Sequence, residues 1–260
     1  MPRFAANLTW LFTEYDFPDR FDAAAQCGFD AVEVLFPYDH SAEAIAERLQ
    51  RNRLTMALIN VPPGNPAAGE RGLAALAGRV SEFRDSITRA AHYAEATGAQ
   101  RVHVMAGVAA TDDQRAAATY RDNIAFAADY LGRRGIKAMI EPINRRDVPG
   151  YFLQDFDVAV RLIGELARPN LQLQFDIYHR QILHGDVTTA LRRLMPLTGH
   201  IQIASVPGRN EPDGEELNYP FLFDELDRLG YDGFVGCEYR PRGGTRAGLG
   251  WFAPYRPGVL

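Results

Sequence analysis

The chain has 260 residues, of which 47% are hydrophobic and 23% charged, and its net charge is −5. That length suits one large α/β barrel or two small domains, and the composition is that of a globular protein with a core of normal size. No run of like charges advertises a nucleic-acid or anionic-membrane surface, and no uncharged apolar stretch reaches the roughly 18 residues expected of a membrane span.

The first segment, MPRFAANLTWLFTEYDF, is interrupted by Asn7, Thr9 and Glu14 and does not read as a signal peptide. Within it the run FAANL, from Phe4, predicts a strand. PDRFDAAAQCG then opens on Asp16 and Pro18 and closes on Gly28, the Pro-in, Gly-out signature of a helix. AVEVL, from Ala31, predicts a second strand, followed by the helix SAEAIAERLQRN with Ser41 as its cap, Glu43 in its first turn and Arg51 near its end. TMALI, from Thr55, leads through a Gly- and Pro-containing stretch to SEFRDSITRAAHYAEATG, a helix closing on Gly98. RVHVM, from Arg101, precedes a helical stretch from Thr111 that closes on Gly132 or Gly135. The strands KAMIE (from Lys137), LQLQFD (from Leu171), HIQIA (from His200) and FVGCE (from Phe234) follow, separated by the helices DFDVAVRLIGELA, DVTTALRRLM and YPFLFDELDRLG.

Eight strands alternating with helices predict repeated βαβ units and a parallel sheet. An open doubly wound sheet usually carries a Gly-rich phosphate loop after its first strand, and FAANLTWLF has none. No linker breaks the rhythm, so the expectation is a single (β/α)8 TIM-barrel domain over residues 1–260, with a C-terminal tail from about 240. The aromatic tail GLGWFAPYRPG fits either its own barrel or a neighbouring subunit, which leaves a homo-oligomer open. Cys27 and Cys237 form no metal or redox motif, and a reducing cytoplasm is the simplest compartment.

Strand residues alternate faces, so parity sorts inward from outward side chains. In LQLQFD the apolar Leu171, Leu173 and Phe175 should face the helices, leaving Gln172, Gln174 and Asp176 inside. The same parity turns Glu141, Gln202 and Glu238 inward at their strand ends, and groups Glu33 with Ala31 and His103 with Arg101. Three carboxylates buried together need a cation. With an amide oxygen beside them the set is all oxygen, which favours Mg²⁺ or Mn²⁺ over Zn²⁺. Any one of these residues alone is as well explained by solvent or a nearby arginine; their joint occurrence on four successive strands points to a metal at Glu141, Asp176, Gln202 and Glu238. His179 is expected in the loop beyond the sixth strand, able to donate to a substrate oxygen. His103 and His200 face inward, where a core role and a site role are equally open. Arg209 and Arg240 lie in top-face loops and suit an anionic substrate.

The motifs RFAANL, FPYD, PxGxxAAGERG, IEPIN, QFDIYH, HIQIA and GCEYRP, in this order from Pro2 to about Trp251, resemble the hydroxypyruvate isomerase family of xylose-isomerase-like barrels. The resemblance implies a metal on Glu141, Asp176, Gln202 and Glu238, with Glu141 and Glu238 also serving as the acid/base pair. The related tagatose 3-epimerase type carries His at the third ligand position; Gln202 favours the isomerase branch. His179 and Arg209 match substrate-contacting positions, and Glu70 falls in the family's loop motif, although no role for it follows from the residues. Arg240 stands where the family motif has Lys, which is not equivalent at an anion site. RVHVMAG and VPGRNEPDGEELNYP look more like the sister 2-oxo-tetronate isomerases, whereas IEPINRRDVPGYFL looks like the hydroxypyruvate branch. The expected reaction is therefore interconversion of hydroxypyruvate and tartronate semialdehyde. The alternatives are the same chemistry on 2-oxo-tetronate or, more remotely, ketose 3-epimerisation; the substrate in each is a small sugar or sugar acid. A DNA-repair endonuclease shares the barrel but needs a His-rich multi-metal site and a basic face, against six dispersed histidines and a charge of −5 here. A non-catalytic sugar-acid binding protein is the remaining reading.

Overall fold

The computed structural model describes residues 1–256; residues 257–260, at the end of the predicted tail, lie outside the described residues. Eight parallel strands close into a barrel in sequence order: β1 (Arg3–Asn7), β2 (Ala31–Val34), β3 (Thr55–Asn60), β4 (Arg101–His103), β5 (Lys137–Ile140), β6 (Leu171–Asp176), β7 (Thr198–Ile203) and β8 (Phe234–Cys237), with β8 pairing back onto β1. The expected (β/α)8 architecture holds, and each predicted strand is present.

The helices begin and end where their local chemistry dictates. α1 (Phe17–Gln26) carries Pro18 in its first turn. Ser41 accepts a hydrogen bond from the backbone N–H of Ala44 and caps α2 (Ala42–Asn52). α3 (Val80–Thr97) ends on Gly98 at φ +72°, a left-handed position glycine takes without steric cost. Asp113 caps α4 (Gln114–Gly132), and Asp155 caps α5 (Phe156–Leu166). α6 (Ile177–His184), α7 (Val187–Leu194) and α8 (Tyr219–Arg228) complete the main ring.

One element corrects the sequence expectation. His179 does not lie in a loop: α6 begins directly at the end of β6, because the Asp176 carboxylate accepts from the backbone N–H groups of Tyr178 and His179. Asp176 is thus both the last strand residue and a helix N-cap, which leaves no room for a loop between them.

The main core lies between strands and helices, as parity requires. Leu171, Leu173 and Phe175 are buried on that side, with Phe175 against Phe156 of α5 at 5.2 Å between ring centroids. A separate small cluster of Ala5, Ala31 and Ala57 packs with Phe234. Inward positions of the upper barrel carry the polar residues Asn7, Glu33, His103, Gln174, His200 and Gln202, all buried. No described helix is long and apolar enough to cross a membrane.

The C-terminal aromatic segment packs on its own barrel. Trp251, Phe252 and Tyr255 each meet Phe4 edge-on, at 5.2, 5.7 and 5.5 Å between centroids, and Phe252 stacks on Phe29 at 4.4 Å. Phe252 is therefore a core residue rather than a tail ornament. Replacing it by Ala is expected to destabilise the fold by about 3–5 kcal/mol, read from the shift in a urea unfolding curve; a change below about 1 kcal/mol, the usual size at a surface position, would mean the segment is not part of the core.

Candidate active site

The carboxyl ends of the strands and the loops that follow them, from β1 round to β8, enclose a cavity of about 290 Å³. Its walls include His103, Glu141, His179, Arg209 and Glu238, together with Trp10 and Glu70. This is the face on which barrel enzymes place their chemistry, because all eight strand ends converge there.

Asp176 and Gln202 are register partners across β6 and β7, and Gln202 pairs with Gly236 of β8, so this edge of the barrel presents one continuous row. Glu141 and Glu238 each extend one residue beyond their strands, β5 and β8. One ligand atom each from Glu141, Asp176 and His179 lie within 4.8 Å of one another, forming the compact donor cluster of the described residues. Gln202 and Glu238 sit beside it in a hydrogen-bonded chain. The Gln202 amide donates to Glu238 at 2.7 Å, and its oxygen accepts from Gln174 at 2.6 Å.

His179 belongs to the cluster, but its hydrogen bonds suit a donor better than a ligand. Its Nδ1 accepts from the backbone N–H of Asn144 at 3.4 Å, with the Asn144 amide nitrogen at 2.7 Å. A backbone N–H can only donate, so Nδ1 holds the lone pair and Nε2 carries the proton. That Nε2 lies 3.8 Å from Asp176. Burial, reinforced by Arg209, holds the His179 ring well below the usual imidazole range, so it is neutral.

Arg209 is the cation that meets these acids. Its guanidinium donates to Glu238 at 2.6 Å and to Asp147 at 2.9 Å, and lies over the rings of Tyr178 and Trp10 at 4.8 and 5.1 Å. Burial opposes its charge, but Glu238, Asp176 and Asp147 outweigh that and raise its pKa. Arg240 is exposed and does not line the cavity; its guanidinium rests on the same Trp10 ring at 4.9 Å, at the rim. Glu70 reaches the cavity wall, but its carboxylate is committed to Arg79 at 2.6 Å and to the backbone N–H of Asn65 at 2.6 Å. It ties the loop together at the cavity wall. His103 is buried with neither ring nitrogen hydrogen-bonded, and its Nδ1 is 3.6 Å from Glu141. Burial, and then His200, lowers its pKa to about 3. Three residues shape the site without having been assigned a role in the sequence: Gln174, Asn144 and Asp147. Gln174 was legible as inward-facing by parity, whereas Asn144 and Asp147 lie in a loop where parity says nothing.

The donor set fits a divalent cation. Burial raises the pKa of Glu141 well above the carboxylate range, and the charges of Asp176 and Glu238 add to it. Burial likewise raises Glu238 to about 8 against the opposing pull of Arg209, and Asp176 to about 6. Glu141 Oε1 is buried without a hydrogen-bond partner, an acceptor left free within the cluster. A positive ion would relieve this repulsion and satisfy that oxygen. The acids also set a pH dependence. Glu238 binds its proton more tightly folded than unfolded, so the folded state holds more protons between the ordinary value of 4.5 and about 8. Stability of the chelator-treated protein should then fall as pH rises through that window. Thermal unfolding with chelator should show this slope, flattened in Glu238→Gln; an identical slope in the variant would remove the carboxylate from the account.

Residues 21–255 match the family described as xylose isomerase-like TIM barrel. A 2-oxo-tetronate isomerase from Cupriavidus necator is 56% identical over 98% of this chain and 99% of its own length. The hydroxypyruvate isomerase of Escherichia coli is 44% identical over 98% of this chain and 100% of its own. A solved structure named AP endonuclease, family 2, from Brucella melitensis superimposes with a TM-score of 0.96 at 49% identity, covering 98% and 100% of the two chains. The closed barrel, its acidic mouth and these full-length similarities agree: the chain belongs to the xylose isomerase-like TIM-barrel family, in the group that includes proteins named hydroxypyruvate isomerase and 2-oxo-tetronate isomerase.

Proposed function

We propose that the chain is an isomerase that interconverts hydroxypyruvate and tartronate semialdehyde (2-hydroxy-3-oxopropanoate) by proton transfer through an enediolate. The observation that carries this is a pair of buried carboxylates with raised proton affinity, Glu141 and Glu238, lining one small cavity beside a guanidinium. Proton transfer between adjacent carbons needs two such groups in reach of one small acid. The similarity to relatives bearing both isomerase names supports the reading.

Glu141, Asp176, Gln202 and Glu238 would hold the metal, Mg²⁺ or Mn²⁺, by the preference of hard oxygen donors. When bound, it supplies Lewis-acid stabilisation for developing negative charge and draws the carboxylates back toward their ionised form. One glutamate takes the proton from C3 of hydroxypyruvate, and C2 receives a proton from the other or from the same carrier. The hydroxyl proton at C3 is lost as the aldehyde forms, and the C2 oxygen gains one, so the isomerisation balances. His179 presents a neutral Nε2–H, suited to donate to a substrate oxygen as charge develops. Arg209 faces the substrate carboxylate while holding Glu238 in place. His103, neutral beside Glu141, adds no charge of its own to that carboxylate. Arg240, at the rim on Trp10, attracts the anion on entry. Free, buried Cys27 and Cys237 support the cytoplasm as the compartment.

The 56% identity to a protein named 2-oxo-tetronate isomerase favours a second reading, the same proton transfer on an acid one carbon longer. An endonuclease activity, by contrast, sits poorly with a 290 Å³ cavity, a single donor cluster among the described residues and a net charge of −5.

Purified protein with added Mg²⁺ or Mn²⁺ should turn over hydroxypyruvate, lose activity to chelator and regain it on metal addition; failure to turn over either acid sinks the isomerase reading in favour of a binding protein. Comparing kcat/KM on hydroxypyruvate and on 2-oxo-tetronate decides between the two substrates. Glu141→Gln and Glu238→Gln should each lower kcat by roughly 10²- to 10⁴-fold. Near wild-type kcat in either variant would take that residue out of the proton path.

A further inference from the structure

Glu33, at the third position of β2, is fully buried and reaches across the barrel mouth. Its carboxylate accepts from Asn7 Nδ2 at 2.8 Å on the neighbouring β1, and from two residues of β7, His200 Nε2 at 2.7 Å and Gln202 Nε2 at 2.8 Å. β7 is not a neighbour of β2: β1 and β8 lie between them on the shorter way round. The crossing is possible because β8 carries Gly236 at the point of passage, where any Cβ would collide with both carboxylate oxygens of Glu33.

This contact decides which way the Gln202 amide points. The amide's two ends are nearly isosteric, so their assignment follows from their partners. Glu33 and Glu238 both lie beside one end, at 2.8 and 2.7 Å, and carboxylate oxygens there call for the NH₂. The amide oxygen therefore turns to β6, where it meets Gln174 on the strand that also carries Asp176. Glu238 has other duties, since Arg209 and the proposed metal both draw on it. Glu33 has none in the cavity, whose walls it does not reach. Packing alone does not account for an acid here, because an apolar side chain of similar volume would avoid the desolvation cost of a buried carboxyl group.

We propose that Glu33 is a positioning residue that holds Gln202 with its amide oxygen toward β6 and its nitrogen on Glu238, so that the metal and acid/base groups are set before ligand binds. This rests on the metal reading given above and adds a residue outside the cavity to it. Groups that orient metal ligands from behind typically contribute about 10- to 100-fold to metal affinity or activity.

The test uses Mn²⁺ as the probe, with free ion counted by electron paramagnetic resonance on the chelator-stripped, repurified full-length chain. Glu33→Gln keeps the shape but replaces one carboxylate acceptor by a donor; Gly236→Ala keeps the carboxylate but pushes it out of the crossing, and carries the test if the first variant does not fold. Both should weaken Mn²⁺ binding by about 10- to 100-fold and lower kcat more than they change KM. Val32→Ala, on the same strand but facing the helices, should lower Tm while leaving the Mn²⁺ Kd at its wild-type value. Wild-type Mn²⁺ affinity in Glu33→Gln and Gly236→Ala, alongside loss of binding in Glu141→Gln, overturns this proposal and leaves the metal reading intact. Equal loss of affinity in Val32→Ala also overturns it, since the effect would then be general loosening of β2. A wild-type chain that binds no Mn²⁺ overturns the metal reading and this proposal with it.

Discussion

Acidic side chains gathered out of water at the mouth of the barrel are the constraint on which the rest of the site depends. Glu141, Asp176 and Glu238 are all buried; the charges of Asp176 and Glu238 add to the cost of ionising Glu141, and Asp176 adds to that of Glu238. Such an arrangement persists only if positive charge and hydrogen-bond donors are supplied from fixed positions. Arg209 brings the charge from the loop after β7, and it is itself held by Asp147 and by two aromatic faces. Gln202, Gln174 and the N-terminal amides of α6 bring the donors. The electrostatic load thus explains why polar residues fill the upper barrel while the apolar core is pushed outward between strands and helices.

That load is also what the proposed chemistry requires. A carboxylate that binds its proton too weakly cannot hand it to carbon, and one that never ionises cannot remove it. Burial moves Glu141 and Glu238 up from their ordinary range, and Arg209 restrains Glu238 to about 8. The same cavity presents a neutral imidazole N–H from His179 and a guanidinium, so proton movement and anion binding are separated among different side chains. The barrel's stiffness maintains the distances: Asp176 and Gln202 are locked in register, and Asp176 is fixed further by capping α6.

Much of this architecture was legible in the chain. Strand parity correctly turned Glu141, Asp176, Gln202 and Glu238 inward, because alternation is a property of any extended backbone. Ser41 and Gly98 marked helix ends because capping and left-handed turns are local chemistry. His179 escaped this reading: as a helix residue it depends on Asp176 doing double duty as strand end and cap, and no periodicity announces a helix that begins without a loop. The tie between Glu70 and Arg79 was not legible for a related reason, since the two lie nine residues apart across a turn whose path the sequence does not reveal.

The sequence by itself determined the βα alternation, the inward face of each strand and the oxygen-rich character of the strand ends, all of which follow from interactions within a few residues. Only the closed barrel decided which of those side chains meet. Glu33 bonds His200 across 167 residues and Gln202 across 169, and Arg209 meets Asp147 across 62. The two Glu33 pairings arise from closing β8 onto β1, which carries β7 and β2 to within hydrogen-bonding reach past a single glycine, a geometric fact with no local signature in the chain.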